Sequence, residues 1–174
     1  MKQALLIGTA VLTITAGAVF AQTNASNPDE KFVMEAGKGG MAEVELGRMA
    51  VDKASNDDVK KFGQRMVDDH SKAGDELKAL AQSKHITVPS EIDPKDRALR
   101  ERLMKLSGPA FDQAYMQAMV NDHVKDVGDF STEARAGKDP DVKAWAGKTL
   151  PTLEEHLRLA REANRSAVGT SGKK

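Results

Sequence analysis

Residues 57–84 read DDVKKFGQRMVDDHSKAGDELKALAQSK, and this stretch decides the fold class. Its apolar residues recur every three or four positions, which places them on one face of an α-helix. That face contains Val59, Phe62, Met66, Ala73, Leu77 and Leu80. His70 fills the gap between Met66 and Ala73. The pattern therefore predicts an amphipathic helix with an imidazole on its buried stripe.

Three further long segments carry the same helical spacing. The first begins at the cap residue Asn27, with proline after it, and runs to about 54, and the others cover about 109–136 and 140–164. A short helix begins at Asp93-Pro94 and ends near 106. No stretch alternates with period two, so the sequence predicts an all-α chain. Since the connection of about 85–108 can cross a bundle, we predict a ferritin-like up-down four-helix bundle with the short helix in the crossover between long helices two and three.

The first 21 residues predict a signal peptide. Lys2 supplies a basic start, an apolar run follows, and Val19-Phe20-Ala21 places small residues at the two key positions of a cleavage site. A membrane anchor is the competing interpretation, but about 17 apolar residues are marginal for a span and no basic cluster follows them. We therefore expect a secreted, periplasmic protein cleaved near Ala21, in which 22–26 form a linker, 27–164 the bundle and 165–174 a disordered tail.

Composition argues against several classes of protein. The chain contains no cysteine, which excludes disulfides, a lipoprotein anchor and thiolate metal sites. Its 26 basic and 26 acidic side chains balance and only 4% of residues are aromatic, so nothing indicates nucleic-acid binding. No glycine-rich phosphate loop follows a strand, so we expect no nucleotide cofactor. No segment of the mature chain is long and apolar enough to predict a transmembrane helix.

The other three long helices each carry one metal-capable side chain near the middle of the apolar stripe. These residues are Glu43 on the first, His123 on the third and His156 on the fourth. With His70 they lie within about five residues of one another along the helices, which is roughly 7 Å. A buried polar group costs a few kcal/mol unless it is paired. We therefore interpret Glu43, His70, His123 and His156 as the ligands of a mononuclear metal site.

Imidazole and carboxylate ligands suit zinc, iron, manganese or copper(II). Met66 and Met119 each lie one turn before a histidine, where a thioether favours copper(I), although methionine is also a routine filler of helical cores. Asp126, one turn after His123, is the expected supporting carboxylate. Three acidic residues that directly precede the histidines are either solvated or in contact with a neighbouring helix: Asp69, Asp122 and Glu155.

Two functions remain open on these residues. Four protein ligands complete a tetrahedral site and indicate metal sequestration or redox defence in the envelope. Three histidine ligands with one vacant coordination position could support hydrolytic or redox chemistry, so the sequence also allows an enzymatic function. The alternative is a non-enzymatic envelope protein that associates through its helices, with a buried His–Glu layer that is structural or senses acid pH. Pro151 interrupts the last helix near His156 and predicts either a tolerated bend or a functional kink.

Several motifs, taken in order, resemble one bacterial family. They are Gly40-Met-Ala-Glu-Val-Glu-Leu-Gly47, Met66-Val-Asp-Asp-His70, Phe111-Asp-Gln-Ala-Tyr115, Met119-Val-Asn-Asp-His123 and Leu150-Pro-Thr-Leu-Glu-Glu-His156. Over roughly 30–163 the chain resembles the domain-of-unknown-function family 4142 (DUF4142), whose members are secreted, often labelled outer-membrane proteins, and ferritin-like. The resemblance implies a bundle outside the cytoplasm and no assigned activity. The residues three before the histidines are Val67, Val120 and Leu153, so the Glu-x-x-His motif of di-iron ferritins is absent.

Overall fold

The structure, a computed structural model, describes residues 27–171, and five helices make up this part of the chain. They are α1 (Pro28–Lys53), α2 (Asp57–Ser83), α3 (Pro94–Met104), α4 (Gly108–Ala136) and α5 (Pro140–Ser171). No strand occurs within residues 27–171, so the all-α prediction is confirmed. Within the same residues, no helix combines the length and the apolar composition that a membrane crossing needs. The predicted signal peptide (1–21), the linker (22–26) and residues 172–174 lie outside the described part.

Polar side chains at the helix starts explain why the helices begin where they do. The Asn27 side chain accepts a hydrogen bond from the Asp29 amide at 3.1 Å, and Asn56 accepts one from the Asp58 amide at 2.8 Å. The Asp139 side chain accepts from the Asp141 amide at 2.9 Å, at the start of α5. Each of these contacts satisfies an amide that has no partner within its own helix. The predicted starts of the long helices therefore agree with the structure to within one or two residues.

The end of the last helix differs from the prediction. The helix was expected to end near 164, with a disordered tail from 165, but α5 continues to Ser171. Ala160, Ala163 and Ala167 follow one another on one face of α5 and are 0%, 5% and 0% exposed in the hydrophobic core. Alanine has the highest helix propensity of all residues, and here it also buries its methyl group. These contacts stabilise the last two turns of α5, which the small and polar composition of this segment did not predict to be helical.

Two hydrophobic clusters at opposite ends of the bundle fix the direction of each helix. One cluster joins the end of α1, the start of α2, the start of α4 and the end of α5, and includes Ala50, Phe62, Phe111 and Ala163. The other joins the four remaining ends, and includes Val33, Leu77, Phe130 and Trp145. Helices α2 and α4 therefore run parallel, and the connection that contains α3 returns along the length of the bundle. The predicted up-down bundle with one long crossover is confirmed.

Two glycines bring α1 and α2 into close contact next to the middle of the bundle. A Cβ atom on Gly47 would lie 2.7 Å from the Gly63 carbonyl oxygen, and one on Gly63 would lie 2.7 Å from the Ala50 Cβ. Neither distance is sterically tolerable, so both positions require glycine for this helix separation. Because Gly47 is one turn from Glu43, the contact also holds the Glu43 segment against α2.

Two buried carboxylates connect the helical hairpins. Asp112 of α4 is 1% exposed and accepts hydrogen bonds from the backbone amides of Ser55 and Asn56, both at 3.0 Å, and from the Ser55 hydroxyl at 2.5 Å. At the other end, Asp29 of α1 accepts from the backbone amide of Lys138 at 3.0 Å. These contacts tie each interhelical turn to the opposite hairpin and so limit sliding of the helices that carry the histidines.

Candidate metal centre

The middle of the bundle contains three histidines from three helices. His70 of α2, His123 of α4 and His156 of α5 are 8%, 0% and 1% exposed. Their ring centroids are 5.9 Å apart for His70 and His123, 5.3 Å for His70 and His156, and 5.4 Å for His123 and His156. One nitrogen atom from each ring lies within 4.8 Å of one from each of the others. The expectation that the three rings share one level of the bundle agrees with this geometry.

The backbone of α4 sets the tautomer of His123. Its Nδ1 lies 2.9 Å from the carbonyl oxygen of Met119, one turn earlier. A carbonyl oxygen only accepts, so Nδ1 carries the proton and donates it. In the neutral ring Nε2 then keeps its lone pair, and this buried atom has no hydrogen-bond partner. His123 therefore keeps one unprotonated, unpaired nitrogen that can bind a metal ion.

A carboxylate on the neighbouring helix sets the tautomer of His156. Its Nε2 lies 2.8 Å from Asp69 Oδ2, and the same carboxylate oxygen accepts from Arg65 Nε. Burial alone would raise the pKa of Asp69, but the hydrogen bonds from Arg65 and His156 lower that pKa below its usual value. The ionised carboxylate accepts from Nε2–H, which leaves the buried Nδ1 of His156 unprotonated and without a partner.

His70 completes a set of three unpaired nitrogen atoms. Its Nε2 is buried and has no hydrogen-bond partner among the described residues, like Nε2 of His123 and Nδ1 of His156. Within residues 27–171 no hydrogen bond joins one of these rings to another. Each unpaired buried polar atom costs roughly 1–3 kcal/mol. Such atoms are typical of a ligand site, and a histidine that donates its second nitrogen to a carboxylate or a carbonyl is typical of metal ligands.

Burial keeps the three rings neutral at neutral pH. It lowers the pKa of His70 to about 3 and the pKa of His123 to about 4, with a further contribution from the other imidazoles. Burial also lowers the pKa of His156, although Asp69 opposes this effect. Metal ions bind the neutral imidazole. The cluster is therefore in its ligand form over the whole neutral range.

Glu43 lies beside the histidine cluster rather than among its unpaired nitrogen atoms. It is 1% exposed, and its Oε1 is 3.6 Å from Nδ1 of His123, which is the nitrogen that already donates to Met119. Its carboxylate groups instead with Asp122 and Asp126, with one oxygen atom of each within 4.8 Å of the others. The structure thus brings together three of the four predicted ligands, and a direct bond from Glu43 to the same metal stays a prediction.

The remaining predicted site residues fall into the core or at the surface. Met66 and Met119 are 0% and 1% exposed and belong to the hydrophobic cluster at the α3 end of the bundle, so their role as sulfur ligands stays a prediction. Glu155 pairs with Arg158 at 2.6 Å, in agreement with a solvated role. Pro151 and Gly147, whose carbonyl loses its helix hydrogen bond, are both exposed. The interrupted turn therefore lies on an exposed side of the helix, which favours the tolerated bend.

A cavity of about 750 Å³ connects the cluster with the outside of the bundle. Its lining includes His70, His156 and Asp126, together with apolar side chains such as Leu77 and Trp145. Gly40 of α1 contributes to this opening because a Cβ atom there would lie 3.9 Å from Nδ1 of His70. Two of the three histidines are thus accessible to a small ion.

Sequence reasoning left the roles of two acidic residues undecided. Asp69 and Asp122 directly precede histidines, and local spacing does not distinguish a side chain in solvent from one that contacts a neighbouring helix. In the structure Asp69 reaches across to His156, and Asp122 joins Glu43 and Asp126. The available signal was the repeated Asp-His pair, in which one residue's spacing turns the carboxylate about 100° away from the imidazole, toward the adjacent helix.

Comparisons with known proteins agree with the fold. The family described as a domain of unknown function, DUF4142, matches residues 15–163. A DUF305 protein from Streptomyces coelicolor that is described as secreted has a similar structure, with a TM-score of 0.69 and 14% identity over 81% of this chain and 92% of that one. CopM in its Cu(II)-bound form has a TM-score of 0.67 and 14% identity over 79% of this chain and 96% of its own. A search of curated proteins finds no match.

Proposed function

Because this chain belongs to the DUF4142 family, whose description gives no function, we propose from the geometry of its own side chains that it binds one copper(II) ion through His70, His123 and His156. The observation that supports this proposal is the set of three buried, unpaired imidazole nitrogens from three helices. Two of the rings have their tautomers set by Met119 and Asp69, so the unprotonated nitrogens are prepared before any ion arrives.

The donor set favours copper over the other candidate metals. Three imidazoles suit copper, zinc, iron and nickel, and the affinity of such a site for divalent ions rises from manganese to copper and falls again at zinc. Where the protein meets these ions at comparable concentrations, copper(II) therefore occupies the site first. The Cu(II)-bound CopM of similar fold supports copper as the metal to test, although at 14% identity the argument rests on the donors.

The biological role that fits this site is metal sequestration outside the cytoplasm. The predicted signal peptide indicates export to the periplasm. The site lies inside the bundle, and two of its ligands line a cavity. A metal-free polar layer is less well supported, because the rings form no hydrogen bonds with one another within residues 27–171 and Glu43 has no hydrogen-bond partner. Redox or hydrolytic chemistry stays a further use of the same ion if one coordination position remains open.

The experiment compares three forms of the mature protein purified from the periplasm. Wild type is compared with a His70→Ala/His123→Ala double variant and with His85→Asn, which changes the exposed fourth histidine outside the bundle core. Elemental analysis and copper(II) titration should give one copper ion per chain in wild type and His85→Asn, and loss of that copper ion in the folded double variant. A wild-type protein that takes up no copper(II), or a folded double variant that binds copper(II) as tightly as wild type, would overturn the proposal.

A further inference from the structure

A second group of ligand atoms lies close to His123. Glu43 of α1 and the pair Asp122 and Asp126 of α4 each place one carboxylate oxygen within 4.8 Å of the others. The two aspartates are four residues apart, so they project from one face of α4 toward α1. This group shares no atom with the three histidine nitrogens discussed above.

Glu43 is buried in this group, and no donor within residues 27–171 gives its carboxylate a hydrogen bond. The side chain is 1% exposed, and both of its carboxylate oxygens are buried and unpaired. The nearest histidine nitrogen, Nδ1 of His123, is 3.6 Å away and donates its hydrogen to the Met119 carbonyl. A fully buried carboxylate in this position is costly unless a proton or a cation neutralises it.

Basic side chains do not neutralise the group. Lys95 reaches Asp122 at 3.6 Å but is 73% exposed, and Lys125 pairs with Asp129 at 2.6 Å instead. Within residues 27–171 no lysine or arginine forms an ion pair with Glu43 or Asp126. Three acidic groups at this spacing repel one another, and burial followed by repulsion from Asp122 also raises the pKa of the nearby Asp96 on α3. Within the described residues no basic side chain balances the charge of Glu43 or Asp126, so a proton or a bound cation has to do so.

We propose that Glu43, Asp122 and Asp126 form a second cation site, for a divalent ion that prefers oxygen ligands, such as Mn²⁺. Carboxylates suit manganese, magnesium and calcium, whereas imidazoles suit copper and zinc, so the two groups select different metals. Asp126 lines the same cavity as His70 and His156, which gives the second ion a route from solvent.

Mn²⁺ binding to a protein that lacks the histidine site tests this proposal. The mature His70→Ala/His156→Ala variant keeps all three carboxylates and removes two of the three imidazoles. Electron paramagnetic resonance of free aqueous Mn²⁺ gives the bound fraction during a titration. We expect one Mn²⁺ per chain, and at least a tenfold rise in Kd when either Asp126→Asn or Asp122→Asn is added, since each removes one of three ligand charges.

Asp129→Asn is the matched control, because it changes an exposed aspartate on the same helix by the same charge and size. Circular dichroism establishes that each variant is folded, and the partly exposed Asp122 provides a second variant if Asp126→Asn does not fold. The proposal is overturned if no Mn²⁺ binds, or if Asp122→Asn and Asp126→Asn bind as tightly as Asp129→Asn. Failure of copper binding at the histidines leaves this result unaffected, since the test protein lacks that site.

Discussion

The contact between Asp69 and His156 offers the sharpest test of the copper proposal. The His156 Nε2 lies 2.8 Å from Asp69 Oδ2, and this contact leaves Nδ1 free for the metal. In Asp69→Asn the amide can donate to Nε2, which moves the ring proton to Nδ1 and blocks that ligand, or it can accept as a weaker, uncharged partner. Either change weakens the site without touching a proposed ligand.

The size of the expected loss of copper affinity follows from the geometry of the Asp69–His156 contact. Asp69 is a direct hydrogen-bond partner of a buried ring and is only 26% exposed, so solvent replaces the lost contact poorly. Removal of such a partner typically costs 10- to 100-fold in metal affinity, which corresponds to about 1.4–2.7 kcal/mol. We expect Asp69→Asn to raise the copper(II) Kd by a factor in this range and His156→Ala to raise it further.

The assay is competition against a chelator of known copper affinity, at fixed pH and ionic strength. Asp68→Asn is the control, because it removes the same charge one residue earlier, where the exposed side chain contacts Gln64. The difference between the two variants isolates the hydrogen bond from the general loss of negative charge. If Asp69→Asn binds copper as tightly as Asp68→Asn while His156→Ala binds it weakly, Asp69 does not orient the ligand and our reasoning is refuted.

Three further predictions concern the stability of the metal-free protein, measured by urea unfolding with the fluorescence of the single tryptophan. The folded-state pKa of His70 is about 3, below its usual 6.5, so between these values the unfolded state binds the extra proton and acidification destabilises the protein. The folded-state pKa of Asp126 is about 7, above its usual 3.8, so between these values the folded state binds the extra proton and acidification stabilises the protein. Acidification from pH 6 to pH 5 should therefore lower the free energy of unfolding of His70→Gln less than that of the wild type, and that of Asp126→Asn more. Each difference should reach up to about 1.4 kcal/mol per pH unit, and differences of the reverse sign would contradict these pKa assignments. Gly63→Ala should lower the free energy of unfolding by about 1–3 kcal/mol, because its Cβ would lie 2.7 Å from a neighbouring atom. Gly74→Ala, where no atom lies within 4 Å of the added Cβ, should raise it by up to about 1 kcal/mol, and equal effects of the two substitutions would exclude a close helix contact at Gly63. Asp112→Ala leaves the part-buried amides of Ser55 and Asn56 without their acceptor and should lower the free energy of unfolding by about 1–3 kcal/mol, and a loss below about 0.5 kcal/mol would show that water replaces the carboxylate.

The helices and their order were predictable because the signals are local. Asn27 and Asn56 cap helices that begin within one residue of the expected position, and the apolar spacing identifies the buried faces. The end of α5 was not predictable in this way, because the burial of Ala167 depends on helices distant in sequence. A small residue near the end of the chain has the same local signal whether it is buried or exposed.

The sequence by itself determined an all-α bundle, its long crossover and one metal-capable side chain at mid-height on each long helix. The position of a residue along its helix axis follows from residue counts and the rise of 1.5 Å per residue, so it is the same in any arrangement of the helices. The sequence did not determine which polar atoms meet, since a helix rotation of some tens of degrees changes a side chain's neighbours while leaving its height unchanged. Only tertiary packing grouped the three histidines, placed Glu43 with Asp122 and Asp126, and directed Asp69 to His156. Contacts such as that between Gly47 and Gly63 fix those rotations, and they form only when the helices come together.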